Sequence, residues 1–239
     1  MAPMNPDTLA LLKKTSVATI TTQLFKRGFR NAYIQGVARL TTPSSGNMVG
    51  PAFTLRNIPA REDLDQLSAF DNPLHPQRKA IESVPPGHVL VIDCRGETRA
   101  ASGGQILTTR LKIRGGAGLV SDGAIRDSVE IGRMDFPVYV AGASAPLNLV
   151  CHHALEQNVP IGCGGVAVYP GDIVVGDAEG VAVIPAHLAD EVARDGAEQE
   201  LLEQFLLERI ESGATLPGTY PPSAETRAAF AAWRASRGV

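Results

Sequence analysis

Gly115-Gly116-Ala117-Gly118-Leu119-Val120-Ser121-Asp122-Gly123-Ala124-Ile125-Arg126-Asp127 is the stretch whose reading decides the fold. Its apolar part, Leu119-Val120, reads as a buried strand. Gly123 reads as a turn that delivers the adjacent Arg126 and Asp127 to the C-terminal end of that strand. Open α/β sheets place their ligands at that end. A carboxylate there can hold a hard divalent cation, and a guanidinium beside it can hold a carboxylate substrate. A surface turn carrying an incidental ion pair is the competing reading of the same residues.

The sequence on either side has an α/β rhythm. Val89-Leu90-Val91-Ile92-Asp93 is a continuous apolar strand of the kind buried on both faces. Gly103-Gly104 opens a helix over Gln105–Arg114, Ser128–Met134 reads as the next helix, and Pro137–Val140 as the next strand. Such βαβαβ order favours parallel pairing with helices outside. Upstream, Asn5-Pro6-Asp7 starts a helix with Asp7 as N-cap. Leu9, Leu12, Val17, Ile20, Leu24 and Phe25 continue it to Gly28, with a weak point at Thr19–Thr22. Strands are expected at Ala32–Val37 and Met48–Leu55, and Arg61–Asp65 is expected to be exposed.

After Val159 the runs shorten to Ile161–Val168, Asp172–Val175 and Val181–Ile184, separated by Pro170-Gly171-Asp172 and Gly176–Gly180. This reads as an antiparallel meander or a small barrel wall. A long helix is expected from His187 to Ser212. The tail beyond it carries Phe230 and Trp233, which calls for packing on the body or on a neighbouring subunit. No linker marks a boundary, so residues 1–239 read as one domain.

Composition narrows the classes. Of 239 residues, 44% are hydrophobic, which is enough for a proper core. The net charge of −3 carries no basic footprint, which argues against nucleic acid as primary partner. Lys13, Lys14, Lys26, Arg27 and Arg30 read as a solvated helix face. Cys94, Cys151 and Cys163 form no CxxC motif and cannot all pair, which fits a reducing compartment. No basic start leads into an apolar run, and no stretch has the apolar length to cross a bilayer. A soluble cytoplasmic protein without membrane contact is expected.

Gly103–Thr109 offers free backbone N–H groups at a helix start, an anion site to which Arg126 can add a bidentate contact. It lacks the Gly-Lys-Ser/Thr ending of a Walker A loop and the third glycine of a dinucleotide fingerprint. Cys151-His152-His153 invites zinc, but adjacent side chains diverge, so packing is preferred. Asp172, Asp177 and Glu179 lack calcium-loop spacing and read as solvated turns.

Gly116–Asp127 resembles the central motif of the superfamily that joins the regulator of ribonuclease activity A to the 4-hydroxy-4-methyl-2-oxoglutarate aldolases. Phe136-Pro137-Val138-Tyr139, Pro170–Asp177, Gly180–Pro185 and the opening Val17-Ala18-Thr19-Ile20 fit the same pattern, so the resemblance covers most of residues 15–212. It implies an α/β fold of the swivelling β/β/α type, a central sheet or barrel flanked by helices with a long C-terminal helix. It further implies a homotrimer or hexamer with the active site at subunit interfaces. The aldolase branch uses Mg2+ or Mn2+, cleaves 4-hydroxy-2-oxo acids to pyruvate and decarboxylates oxaloacetate. By resemblance, Asp127 is the metal ligand and Arg126 the catalytic group that holds the substrate carboxylate and oxo group. The amides of Gly104-Gln105-Ile106-Leu107 would hold the other end of that carboxylate.

Two positions depart from the pattern. Gln105 stands where metal-dependent members carry an acidic residue, and an amide cannot serve as a base. Thr21-Thr22-Gln23 stands where the early helix usually bears an aspartate. Both weigh on the aldol step more than on decarboxylation, which needs no hydroxyl deprotonation. Glu198 and Glu200 of a neighbouring subunit are candidates to complete the site. The alternative is a non-enzymatic regulator that binds a ribonuclease; that branch usually loses the aspartate kept here as Asp127.

Overall fold

The computed structural model describes residues 4–44 and 46–238; positions 1–3, 45 and 239 of the expected domain lie outside the described residues. The chain opens with α1 (Pro6–Leu12) and α2 (Val17–Lys26). The break between them falls at residues 13–16 rather than in Thr19–Thr22. Ser16 is the reason: its hydroxyl accepts from the Thr19 amide at 3.1 Å and starts α2. Asn5, not Asp7, caps α1, accepting from the Asp7 amide at 3.0 Å.

The expected strand at 32–37 is reduced, among the described residues, to an isolated bridge at Tyr33, and β1 is the short pair Ala38–Arg39. Then follow β2 (Met48–Pro59), α3 (Pro76–Ser83), β3 (Val89–Asp93), α4 (Gln105–Ile113), β4 (Gly118–Ile125), α5 (Ser128–Gly132) and β5 (Val138–Ala143). The shorter β6 (His152–Gln157), β7 (Ile161–Cys163), β8 (Val166–Val168), β9 (Ile173–Gly176) and β10 (Val181–Ile184) come next. The 23-residue α6 (Ala189–Glu211) and α7 (Ala224–Arg237) end the chain.

Strands β2, β3, β4 and β5 pair in parallel, with β1 antiparallel on β5. The other edge of β2 carries β9 along Met48–Pro51 and β6 along Leu55–Pro59, with a bulge between Arg56 and Asn57. β10 extends the sheet beyond β9. The outcome is the expected α/β class: a curled sheet flanked by helices, with α6 as the long helix near the C-terminus.

Alternation explains why the β3 run is apolar throughout. Leu90 and Ile92 pack with Leu111 and Ile131 of the helical layer, while Val89 and Val91 pack with Cys163, Val166 and Val168 of the β7–β8 layer. A third cluster joins Leu12, Ile20 and Leu24 to Val175, Ile184 and Val192. The tail packs on α6: Phe205 lies 5.6 Å from Phe230 and 5.7 Å from Trp233, and the Trp233 indole donates to Glu208 at 2.9 Å.

The opening motif differs from its reading in one respect. Gly123 is no turn; β4 continues through it to Ile125 with every residue buried, although its pairing with β5 shifts register between Ser121 and Ala124. The glycine serves packing, since a Cβ there would sit 2.6 Å from the Cys94 Cβ. Polar Asp122 is tolerated inside because its carboxylate accepts from the amides of Cys94 at 2.6 Å, Gly96 at 3.1 Å and Gly164 at 3.2 Å.

Leu90 is fully buried at the centre of the sheet. Leu90→Ala is expected to lower unfolding free energy by about 2–5 kcal/mol, read as a lower urea midpoint at unchanged m-value. A loss below about 1 kcal/mol would mean that the two faces of β3 relax around the cavity.

Candidate functional site

Arg126 and Asp127 follow directly from the end of β4. The loop before α4 is docked along that end. Ala101 bridges Ala124, the Ser102 amide and hydroxyl both donate to the Ala124 carbonyl (2.7 and 2.9 Å), and the Arg126 amide donates to the Gly103 carbonyl at 3.1 Å. Asp127 takes a left-handed conformation, φ 57°, which Asp tolerates better than most residues. Its side chain turns away from α5 and toward the start of α4, where Oδ2 accepts from the Gln105 amide at 3.0 Å. Arg126 Nε lies 3.6 Å from the same oxygen. Both side chains remain accessible, 47% and 40% exposed, so the pair is open to a ligand.

Gly104 is required by proximity. A Cβ there would come within 2.7 Å of Asp127 Oδ2 and 2.9 Å of Arg126 Cγ. Its φ of −152° is ordinary extended backbone, so space and not strain demands glycine.

A cleft of about 210 Å³ opens beside the pair. Of the residues predicted for the site, Gly104, Ile106, Leu107, Arg126 and Asp127 line it. Gln105 contributes its backbone amide to Asp127, while its residue is exposed and absent from the lining. Four further lining residues carry chemistry that the sequence did not announce: Phe70, Gln77, Arg78 and Asn148. Gln77 Nε2 donates to the Ser102 carbonyl at 2.7 Å and so ties α3 to the same loop. The Arg78 guanidinium lies 4.2 Å over the Phe70 ring and donates to the Phe70 carbonyl. The local signal was slight: Pro76 at the first turn of α3 announces a helix but not where its face points.

The donor set determines what cation would fit. Among the described residues, no three His, Cys, Asp or Glu side chains converge. His152 Nε2 meets the Ala100 carbonyl at 3.2 Å and His153 Nδ1 meets Asp65 Oδ1 at 2.8 Å, so the two rings serve different contacts. Burial holds the His152 pKa below the usual imidazole value. Among the described residues lining the cleft, Asp127 alone offers an accessible carboxylate. One hard oxygen ligand, with substrate and water oxygens completing the shell, suits a Mg2+-type ion and not the N/S set of zinc.

The other acidic candidates have partners within the chain. Asp172, expected in a solvated turn, accepts from the amides of Tyr169 at 2.9 Å and Ala186 at 3.2 Å, and burial raises its pKa. Asp177 accepts from Val17 and Glu179, each at 2.8 Å, and thereby holds the first turn of α2. Glu200 accepts from the Ser16 amide at 2.9 Å, and Glu198 pairs with Arg234 at 2.6 Å. Gln23 is buried against α6, donating to Gln199 at 2.7 Å and to the Asp195 carbonyl at 3.2 Å.

Comparison with known proteins bears on the family and the fold. The family model described as RraA-like, Aldolase/RraA, matches residues 17–183. A protein of Halalkalibacterium halodurans, provisionally named a 4-hydroxy-4-methyl-2-oxoglutarate aldolase, is 36% identical over 157 residues, spanning 64% of this chain and 69% of that protein. The crystal structure of an uncharacterized protein from Pseudomonas syringae aligns with a TM-score of 0.77 at 25% identity, covering 92% of this chain and all of that one. Streptomyces coelicolor RraAS2, described as an unusual member of the RNase ES inhibitor RraA protein family, aligns at 0.74 and 30% identity, covering 86% and 98%.

Gly104→Ala is expected to push Asp127 off the Gln105 amide while the core stays folded. Hydrogen exchange at the Gln105 amide should rise by about tenfold, the scale of one lost hydrogen bond. An unchanged rate there would show that the close approach is not what holds Asp127.

Proposed function

The chain belongs to the RraA-like (Aldolase/RraA) family, and from that premise we propose that it is a divalent-metal-dependent lyase acting on small 2-oxo acids. The reaction is retro-aldol cleavage of 4-hydroxy-2-oxo acids, β-decarboxylation of oxaloacetate, or both, with pyruvate released. The observation that carries this reading is the Arg126–Asp127 pair at the mouth of a small cleft, with Asp127 held on the first amide of α4.

Each residue then has a defined task. Asp127 holds Mg2+ or Mn2+ through its carboxylate. A cation held there would supply Lewis-acid polarisation of the substrate ketone. Arg126 grips the substrate carboxylate with a planar fork and sets positive charge beside the oxygen that becomes negative. The Gly104–Leu107 segment orients that carboxylate with backbone N–H groups at the helix start. Leu107 and Ala101 exclude water from the reacting carbon. Gln105 can orient but cannot take the 4-hydroxyl proton, so decarboxylation is the less impeded step.

The assembly proposed is a homotrimer or hexamer whose neighbouring subunit covers the cleft. Ile106, 82% exposed on the cleft wall, supports such a cover. Residues 1–239 act as one domain in this reading, with 15–212 as core and 213–239 as a tail on α6. A cytoplasmic setting fits three unpaired cysteines, and no helix among the described residues is long and apolar enough to cross a membrane. The likeness to Streptomyces coelicolor RraAS2 favours one second reading, a regulator that binds a ribonuclease.

The test is pyruvate release from oxaloacetate and from a 4-hydroxy-2-oxo acid with added magnesium. Asp127→Ala should lower the rate by about a hundredfold or more, the scale of losing one stabilising group in such a site. An undiminished rate would remove Asp127 from the mechanism. Ribonuclease inhibition that persists without metal and survives Asp127→Ala would favour the second reading. Gln105→Glu should raise the retro-aldol rate by about tenfold or more by restoring a carboxylate. A flat response would show that Gln105 is not the missing acid.

A further inference from the structure

The cleft carries a second cation. Arg78 lines the same cleft as Arg126, although it comes from α3 and not from the β4 end. Arg126 has Asp127 at 3.6 Å. Arg78 takes part in none of the ion pairs among the described residues. Its guanidinium is nonetheless held: it stacks 4.2 Å over Phe70, and one N–H is fixed on the Phe70 carbonyl. Phe70 is itself braced edge-on by the buried His75 at 5.1 Å. Among the described residues the remaining donors of the fork have no acceptor, and the walls around them are apolar, from Ala101, Ile106, Leu107 and Leu147.

A half-buried, pre-oriented guanidinium without a counter-charge is costly unless an anion visits it. Arg126 and Asp127 serve one end of a ligand, so the anion that meets Arg78 belongs to the other end. The cleft, about 210 Å³ and open to solvent on one side, has room for a short-chain diacid. We infer that Arg78 is a specificity residue: its guanidinium is the group that receives the distal carboxylate of a 2-oxo diacid. This rests on the lyase reading only for the orientation of the 2-oxo end.

The experiment compares two ligands that cannot react by either proposed route. 2-Oxoglutarate carries the distal carboxylate, and 2-oxopentanoate has a methyl group in its place. Calorimetric titration of the full chain with magnesium present should show the diacid binding at least about tenfold tighter, the scale of a charge-assisted bidentate contact. Arg78→Gln should bring the ratio close to one, and Arg78→Lys should recover part of it by keeping the charge without the fork. Thermal melts check folding; if Arg78→Gln unfolds, the ratio in Arg78→Lys decides. A ratio near one in the unaltered chain, a ratio that Arg78 substitutions leave unchanged, or no binding of the diacid overturns the proposal. Pyruvate release is measured separately. A retained ratio without turnover sinks only the lyase reading, whereas turnover without the ratio sinks only the role of Arg78.

Discussion

The backbone at Gly104 runs so close to the Arg126 and Asp127 side chains that a Cβ there would meet them at 2.9 and 2.7 Å, and the site is built on that contact. The Ala124 carbonyl takes two donors from Ser102, and the Gly103 carbonyl takes the Arg126 amide. These bonds join the start of α4 to the tip of a fully buried strand. Two groups that follow the strand, a guanidinium and a carboxylate, are thereby set against free helix amides. Neither element would present that arrangement alone. A helix start offers donors without a counter-charge, and a strand end offers side chains without a fixed partner.

Behind the contact stands a second one, the buried Asp122 carboxylate. It gathers amides from the β3–α4 connection and from the β7–β8 turn, so both faces of the sheet are pinned to the strand that delivers the site. A buried carboxylate satisfied by three backbone donors costs less than its burial alone implies, because the charge is spread over oriented dipoles. Its place in the motif is architectural, while Arg126 and Asp127, a few residues on, line the cleft.

How much of this was legible depends on whether the physical cause was local. The Val89–Asp93 strand was readable because burial on both faces leaves an uninterrupted apolar run. Val181–Ile184 was readable for the same reason. Gly123 misled because a glycine needed for contact with Cys94 looks, in sequence, like one needed for a turn. Asp172 and Asp177 looked solvated because their partners, Ala186 and Val17, are remote or lie across a turn. Within the site, the Arg126–Asp127 pair and the Gly104–Leu107 segment were legible as motifs. Phe70, Gln77, Arg78 and Asn148 were not. Their meeting is a product of how α3, the segment before it and the loop after β5 come together at the sheet, and no spacing in the chain encodes it.

The long strand β2 has one further implication. It is bonded to β3 on one side and to β9 and β6 in succession on the other. A strand shared by three neighbours leaves no fracture line between the parallel half of the sheet and the hairpin half. The molecule should therefore melt as a single cooperative body, with the backbone of residues 52–56 among the last to surrender its protons to solvent. Circular permutation or insertion within that strand would divide what the chain uses as its keel.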